Sequence, residues 1–382
     1  MTRHDMTKVG IIGLGKMGIS HLSILNAQPQ VAVTGICDNS AYLSNMLEKV
    51  TSIKSYTEPE RLINECAPDA IVIATPTSTH ASLVEYALHR NIHIFCEKPF
   101  CIDVKKGAEL SELANKKNLV NQVGYHCRFI SSFEKAYQLA LEGLIGSIYH
   151  ARVEVYGAVI LEPNGTSWRS VARAGGGCLY DYACHGIDLL HLFMGSPSSV
   201  AGTVLNPIYS RNVEDEVYSN FSYSDGRTAS IAANWSDKSF RKMSTRIALW
   251  GINGKIIADR QEVHIYLNHK VSIPDATYEA GWTSLNNLSL NKPVGFYLRG
   301  EEYSMQIEHF IACIENKIPN SKSTFYTAHN TDVIAEMMHH DAKLGSNRNL
   351  KNDDGALKNK AGSWIASVKQ AMHAERTPKS SK

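Results

Sequence analysis

A chain of 382 residues exceeds what one hydrophobic core usually organises, so two domains are expected. With 43% hydrophobic and 20% charged residues and a net charge of +2, the composition is that of an ordinary globular protein; it gives no reason to expect nucleic acid or an acidic membrane as partner. No apolar run approaches the ~20 residues of a membrane helix, and no apolar leader segment precedes the first strand, so a cytoplasmic location is expected. The eight cysteines form no CxxC pair and no framework spacing. Several, such as Cys37 and Cys96, lie in apolar runs, which predicts buried reduced thiols rather than disulfides or a zinc site.

From Lys8 onward short β-rich runs alternate with helical patterns. "KVGIIG" reads as a buried strand, "MGISHLSILNA" as a helix and "VAVTGICD" as the next strand, followed by a helix from Ala41 to Lys49. "AIVIATP", "NIHIFCEKP" and "LVNQVGY" are further strands, separated by helices near 78–90 and 103–117. That alternation predicts a parallel, doubly wound α/β sheet. The pattern ends near Gly124. After a helix at about 131–142 come "SIYHARVEVYGAV", "SSVAGTVLN", "DEVYSNFSYS", "RTASIAANWS" and "MSTRIALWG", with turn signals between them. Strands joined by short turns predict a mostly antiparallel sheet. Helices from Tyr303 to Glu315 and from Thr327 to Lys343 are expected to cover one of its faces. The division is therefore 1–124, 125–345 and a polar tail over 346–382, with a short helix expected in "WIASVKQAMHAER".

Gly13, Gly15 and Gly18 stand in GxGxxG spacing directly after the first strand and at the opening of a helix, with Lys16 and Met17 inside the loop. Such glycines allow a tight turn, close approach of a pyrophosphate to the backbone, and close helix–strand packing. The helix N-terminus adds free N–H groups for phosphate. The second strand ends in Asp38, twenty residues beyond Gly18, where a carboxylate can bind both ribose hydroxyls. That carboxylate repels a 2′-phosphate, so NAD is favoured over NADP, with Lys16 as a partial offset.

Ligands in doubly wound sheets lie at the carboxyl ends of the strands, where "ATPTSTH" (74–80) and "CEKPF" (96–100) fall. Pro99 holds Lys98 out of helix, and a lysine there could stabilise developing charge on a substrate oxygen. Further on, "GGGCLYDYACHGIDLL" sets three glycines before Asp181 and His185, which share a helical face at i, i+4. A histidine can accept a hydroxyl proton near neutral pH, and Asp181 can orient the substrate or favour the imidazolium. The glycines, 175–177, would let this helix start lie close to a ligand. In "GTSWRSVARAGGG", Trp168 could lie against a ring, and Arg169 or Arg173 could bind an anionic group such as a phosphate or carboxylate.

The combination of GxGxxG with Asp38, then Glu97-Lys98-Pro99, then "GGG…D…H…DLL" resembles the glucose–fructose oxidoreductase, inositol dehydrogenase and rhizopine-catabolism (Gfo/Idh/MocA) family, from about residue 8 to about residue 343. The resemblance implies an N-terminal Rossmann domain and a C-terminal, open-faced α/β domain with the active site between them. It implies hydride transfer between NAD and a secondary hydroxyl or ketone of a sugar, cyclitol or nucleotide-sugar. The family's catalytic lysine, aspartate and histidine fall on Lys98, Asp181 and His185; Thr75, Pro76 and His80 match a cofactor-side loop, Glu97 a contact near the nicotinamide ribose, and Lys98 is expected to touch the cofactor as well. Substrate contacts are expected from Lys98, Trp168, Arg169, Asp181 and His185. His126-Cys127 departs from the asparagine that many members carry before the arginine, here Arg128. His185, Asp188 and His191 lie three apart on the helix, but no metal site of the family maps there and none is expected. A homodimer or homotetramer is the family expectation. The alternatives are a glycosidase of the same fold that retains its NAD, and a non-catalytic sensor. Retention of Lys98, Asp181 and His185 together argues against the sensor.

Overall fold

Apolar runs bounded by turn residues build the first sheet. The computed structural model describes residues 6–163 and 168–352. Its first part runs β1 (Thr7–Ile12), α1 (Lys16–Asn26), β2 (Val31–Cys37), α2 (Ala41–Thr51), β3 (Ser55–Tyr56), α3 (Pro59–Cys66), β4 (Ala70–Ile73), α4 (His80–His89), β5 (His93–Cys96), α5 (Val104–Lys116) and β6 (Asn121–Val123). The strands pair in parallel in the order β3-β2-β1-β4-β5-β6. Every residue of β4 is buried, as a central strand covered on both faces requires. The order reverses between β1 and β4, which opens a crevice at their carboxyl ends. β3 and α3 go beyond the sequence expectation: a two-residue strand and the polar helix "PERLINEC" offer too few apolar positions to show a period, although Leu62 and Ile63 are buried.

The second part comprises α6 (Ser131–Leu141), β7 (Ile148–Tyr156), α7 (Cys184–Met194), β8 (Ser199–Asn206), β9 (Glu216–Ser222), β10 (Thr228–Asn234), β11 (Ser244–Gly251), β12 (Gly254–Ala258), β13 (Glu262–Leu267), β14 (Val271–Ile273), β15 (Ala276–Tyr278), β16 (Gly281–Asn286), α8 (Asn287–Leu290), α9 (Glu301–Glu315) and α10 (Phe325–Asn352). Eight of these strands form one sheet in the order β16-β13-β12-β11-β7-β10-β9-β8. Its pairs are antiparallel except β7 with β10. Burial alternates along β9, β11 and β13. The inner residues, such as Val217, Leu249 and Ile265, share a core with α6, α7 and α10. The other face carries Tyr218, Tyr266 and Trp282 exposed.

Two expectations change. α9 does not cover the second sheet: Ile307, Phe310 and Ile311 pack with Val9, Ile11, Leu25 and Phe95 on the first. The Phe95 and Phe310 rings meet edge to face at 5.9 Å. α10 runs past Lys343 to Asn352, and joins both parts: Phe325 and Ala328 lie in the core of the first, Ile334 and Met338 in that of the second. The rest of the tail, with its expected helix, lies outside the described residues. All eight cysteines are free thiols, and seven are buried. Among the described residues no helix is long and apolar enough to cross a membrane.

Candidate active site

The crevice at the switch point is lined by the glycine loop. Gly13 sits at φ +93°, where a Cβ would fall 2.6 Å from the Ala74 carbonyl, so the loop lies directly on the end of β4. A Cβ on Gly18 would fall 1.8 Å from the Gly13 carbonyl oxygen. At Gly15, by contrast, a Cβ would meet nothing within 4 Å. Gly15 caps α1 with no side-chain hydrogen bond and no acidic residue in the first turn, which leaves the helix N–H groups for an anion. Lys16 is exposed and Met17 half-buried on the same turn. Asp38 braces the loop: Oδ2 accepts the Leu14 N–H at 2.7 Å and Oδ1 the Ser40 N–H at 2.9 Å. Each oxygen keeps a further lone pair for a ribose hydroxyl. These residues fit a dinucleotide.

Thr75 is half-buried and Pro76 exposed beside this loop, with the Thr79 hydroxyl donating to Thr75 Oγ1 at 2.8 Å. His80 lies beneath rather than in the crevice. It is buried, with Nε2 3.0 Å from the Thr75 carbonyl and Nδ1 3.0 Å from that of Pro99, and so ties the ends of β4 and β5 together. Burial lowers its pKa against the pull of those two carbonyls.

Glu97 and Lys98 leave the end of β5 in different directions, and the Lys98–Pro99 peptide is cis. Glu97 turns inward, and its Oε1 meets His21 Nε2 of α1 at 2.7 Å. Burial raises the Glu97 pKa, but the His21 hydrogen bond and the neighbouring Lys98 charge bring it below the usual range. Lys98 Nζ reaches the second part of the chain, donating to Asp181 Oδ1 at 2.7 Å and to the Asp181 carbonyl at 2.8 Å. Burial disfavours the ammonium, yet Asp181 outweighs it and holds the lysine protonated, above its ordinary pKa.

Asp181 sits in a π-helical turn, Leu179–Ala183, that leads into α7. Such widened turns are frequent at functional sites. Its other oxygen, Oδ2, accepts from Arg169 Nε at 2.8 Å, and the guanidinium lies 4.8 Å from the Trp168 ring centroid. Arg173 is exposed. Asp181 is thus held between two cations. Burial raises its pKa, but Lys98 and Arg169 together bring it below the ordinary value.

Two glycines of the run make room for this clamp. A Cβ on Gly176 would fall 2.2 Å from the Arg169 carbonyl oxygen, and one on Gly177 (φ +112°) 2.3 Å from Glu214 Oε1. Glu214 Oε1 accepts the Leu179 N–H at 2.8 Å, which secures the start of the π turn.

His185 is placed apart from Asp181. Its ring packs against His126, 4.6 Å between centroids, and against Tyr125 at 5.9 Å. It is 2% exposed, and Nδ1 has no hydrogen-bond partner among the described residues. Burial first, then the charges of Lys98 and Arg260, push its pKa well below that of free histidine. Asp181 is not among the groups that shift it, and burial disfavours the imidazolium. His126 in turn stacks on Tyr303 at 4.8 Å.

Residues 7–125 match the profile of an oxidoreductase family with an NAD-binding Rossmann fold, and residues 133–257 match that of the Gfo/Idh/MocA C-terminal domain. The chain belongs to the Gfo/Idh/MocA family. Myo-inositol 2-dehydrogenase of Thermotoga maritima is 28% identical over 189 residues, 49% of this chain and 55% of that enzyme. Glucose-6-phosphate 3-dehydrogenase of Bacillus subtilis is 25% identical over 187 residues, 48% of this chain and 53% of that enzyme. The chain thus spans about half the length of these curated relatives. Levoglucosan dehydrogenase in complex with NADH superposes with a TM-score of 0.77 at 22% identity, over 88% of this chain and 97% of that one, a likeness of fold.

In this Gfo/Idh/MocA protein the helical set His185, Asp188 and His191 is not a ligand group, because Asp188 is committed to Arg128. Arg128 Nε lies 3.0 and 2.8 Å from the two Asp188 oxygens, and its Nη2 donates to Oδ1 at 2.8 Å. Nη1 donates to the Lys322 carbonyl at 2.7 Å. Arg128 therefore ties α7 to the segment before α10 and is a structural residue. Sequence reasoning passed over His21, Glu214 and Tyr303. His21 alone carried a signal, a polar residue on the inner face of α1 where an apolar one is expected.

A test of the cradle follows from Asp38. Asp38→Ser removes the charge that opposes a 2′-phosphate, and the ratio of NADP to NAD affinity should rise about tenfold or more, equivalent to ~1.4 kcal/mol. Calorimetric titration of both cofactors reads that ratio, and an unchanged ratio would assign the discrimination to Lys16 or another group.

Proposed function

We propose that this protein is an NAD-dependent dehydrogenase or ketoreductase acting on a secondary hydroxyl or ketone of a sugar, cyclitol or nucleotide-sugar. One observation carries the reading: Lys98, held by two N–H bonds to Asp181, stands at the start of the helix that carries the buried His185, and its charge reaches that imidazole. An ammonium has three donors, so one remains for a substrate oxygen. In the oxidative direction that N–H stabilises charge growing on the alkoxide oxygen. His185 accepts the hydroxyl proton, and in reduction the imidazolium returns it. Asp181 and Arg169 hold Lys98 in place, so no reorganisation is needed at the moment of reaction. The Gly15 turn and Asp38 hold the dinucleotide, and Glu97, braced by His21, fixes the strand end that presents Lys98. NAD, when bound, supplies the two-electron acceptor.

Arg169 already balances Asp181, which favours an uncharged polyol over the anionic substrate that its sequence position suggested. The experiment is reduced-nicotinamide absorbance after NAD is added to separate pools of free sugars and cyclitols, sugar phosphates, and nucleotide-sugars. Growth with the first pool is expected. Tight NAD binding without growth in any pool would overturn the reading and favour an enzyme that retains its cofactor. The exposed aromatic face of the second sheet supports self-association as a dimer or tetramer.

The clamp also predicts a pH effect. The Asp181 pKa is depressed, so its pairing is present above that pKa and lost as pH falls through it. Arg169→Gln removes one of the two depressing charges. The acid limb of kcat/KM should move to higher pH. An unmoved limb would show that Asp181 protonation does not limit turnover.

A further inference from the structure

His126, Cys127 and His185 come from distant segments, the short turn after β6 and the first turn of α7, and each offers one ligand atom to a group whose members lie within 4.8 Å of one another. The set is buried, at 4%, 1% and 2% exposure. His126 Nε2 lies 3.9 Å from Cys127 Sγ, and the two imidazole rings are 4.6 Å apart at 63°. His185 Nδ1 has no partner among the described residues. We propose that these three residues form a site for a soft divalent cation, zinc or its analogues, and that its occupation blocks the dehydrogenase reaction.

A thiolate with two imidazoles is the donor set that zinc prefers over calcium or magnesium. Zn–N and Zn–S bond lengths in a tetrahedral site place ligand atoms roughly 3.3–3.6 Å apart. The His126–Cys127 pair is already near that spacing, and small side-chain rotations would close the rest. Three protein ligands leave a fourth position for water or a substrate oxygen. The neighbouring cations are each paired, Lys98 with Asp181 and Arg260 with Glu302, which lessens their opposition to a further positive charge. On coordination the Cys127 thiol proton leaves to solvent, and the bound His185 nitrogen no longer has a lone pair for the substrate proton. Inhibition of turnover rests on the dehydrogenase reading; the metal site itself does not.

The test uses the full-length, reduced, chelator-treated protein with cobalt(II) as a spectroscopic stand-in for zinc. Expected are a thiolate-to-cobalt charge-transfer band saturating at one equivalent without substrate, and its loss when zinc is added. Cys127→Ser should abolish the band, keep metal-free turnover near wild type, and raise the zinc concentration for half-inhibition at least about tenfold. If that variant fails to fold, His126→Asn serves instead, with loss of the same band expected. A band that is absent from the wild-type protein, or that persists in the variant, would overturn the proposal. Because the band needs no substrate, it reports on the site even in a protein that turns over none of the sugars offered.

Discussion

Replacing Lys98 with alanine is expected to lower kcat by about 10²–10⁴, the range lost when a positioned proton-transfer or charge-stabilising group is removed. The affinity for NAD should stay within a few-fold of wild type, because the glycine loop and Asp38 lie on other strand ends. Lys98 Nζ is engaged by the carboxylate and carbonyl of a single residue, at 2.7 and 2.8 Å, so its position is set from two directions. Lys98→Arg keeps the charge, but a planar guanidinium cannot reproduce that geometry, and little activity should return. Lys98→Ala has a second consequence. Asp181 loses one of its two cations and becomes a buried carboxylate with Arg169 alone, so some loss of stability is expected beside the loss of turnover. Steady-state kinetics with calorimetric NAD binding separate the two effects. Turnover unchanged in Lys98→Ala would remove the lysine from the mechanism.

Arg128→Met is expected to destabilise the protein by about 3–5 kcal/mol, because Asp188 would remain as an uncompensated charge in the core. The pair is almost fully buried, with side-chain exposures of 5% and 0%. Thr331 also donates to Asp188 Oδ1, at 3.4 Å, so the network reaches α10. Replacing both partners, Arg128→Met with Asp188→Leu, removes the buried charge and should recover much of the loss. Denaturant unfolding of the two variants measures this. A single variant within ~1 kcal/mol of wild type would show that water reaches the pair, and that it does not hold α7 in place.

The first sheet was legible because its strands are short apolar runs punctuated by glycine, proline and aspartate, each followed by a helical period. The second was legible only as far as Trp250. β12, β13 and β16 alternate buried and exposed residues at the margin of the sheet, and β14 and β15 form a separate hairpin, so their text is more polar and less distinct. At the site, Lys98 and Asp181 could be named from motifs, but not the contact between them, which spans 83 positions of sequence. The i, i+4 spacing of Asp181 and His185 suggested a working pair. Instead the π turn directs Asp181 to Lys98 and Arg169, while α7 turns His185 toward His126. Arg169, expected to hold an anion of the substrate, holds one of the protein. No local pattern announces such a contact, because a guanidinium in a loop reads the same whether it faces solvent or a carboxylate from another turn.

The seating of α9 on the first sheet bears on how the chain acquires its structure. Val9, Ile11 and Phe95 belong to strands complete by Cys96, yet the face they form stays uncovered until Ile307, Phe310 and Ile311 have been made. At ordinary rates of synthesis that interval is on the order of ten seconds or more. The nucleotide-binding half therefore waits on the ribosome with an open apolar surface, and its closure is among the last events rather than the first. A fragment ending near Gly124 would carry the same exposed face permanently and should aggregate or bind chaperones, although it contains the whole glycine-loop signature.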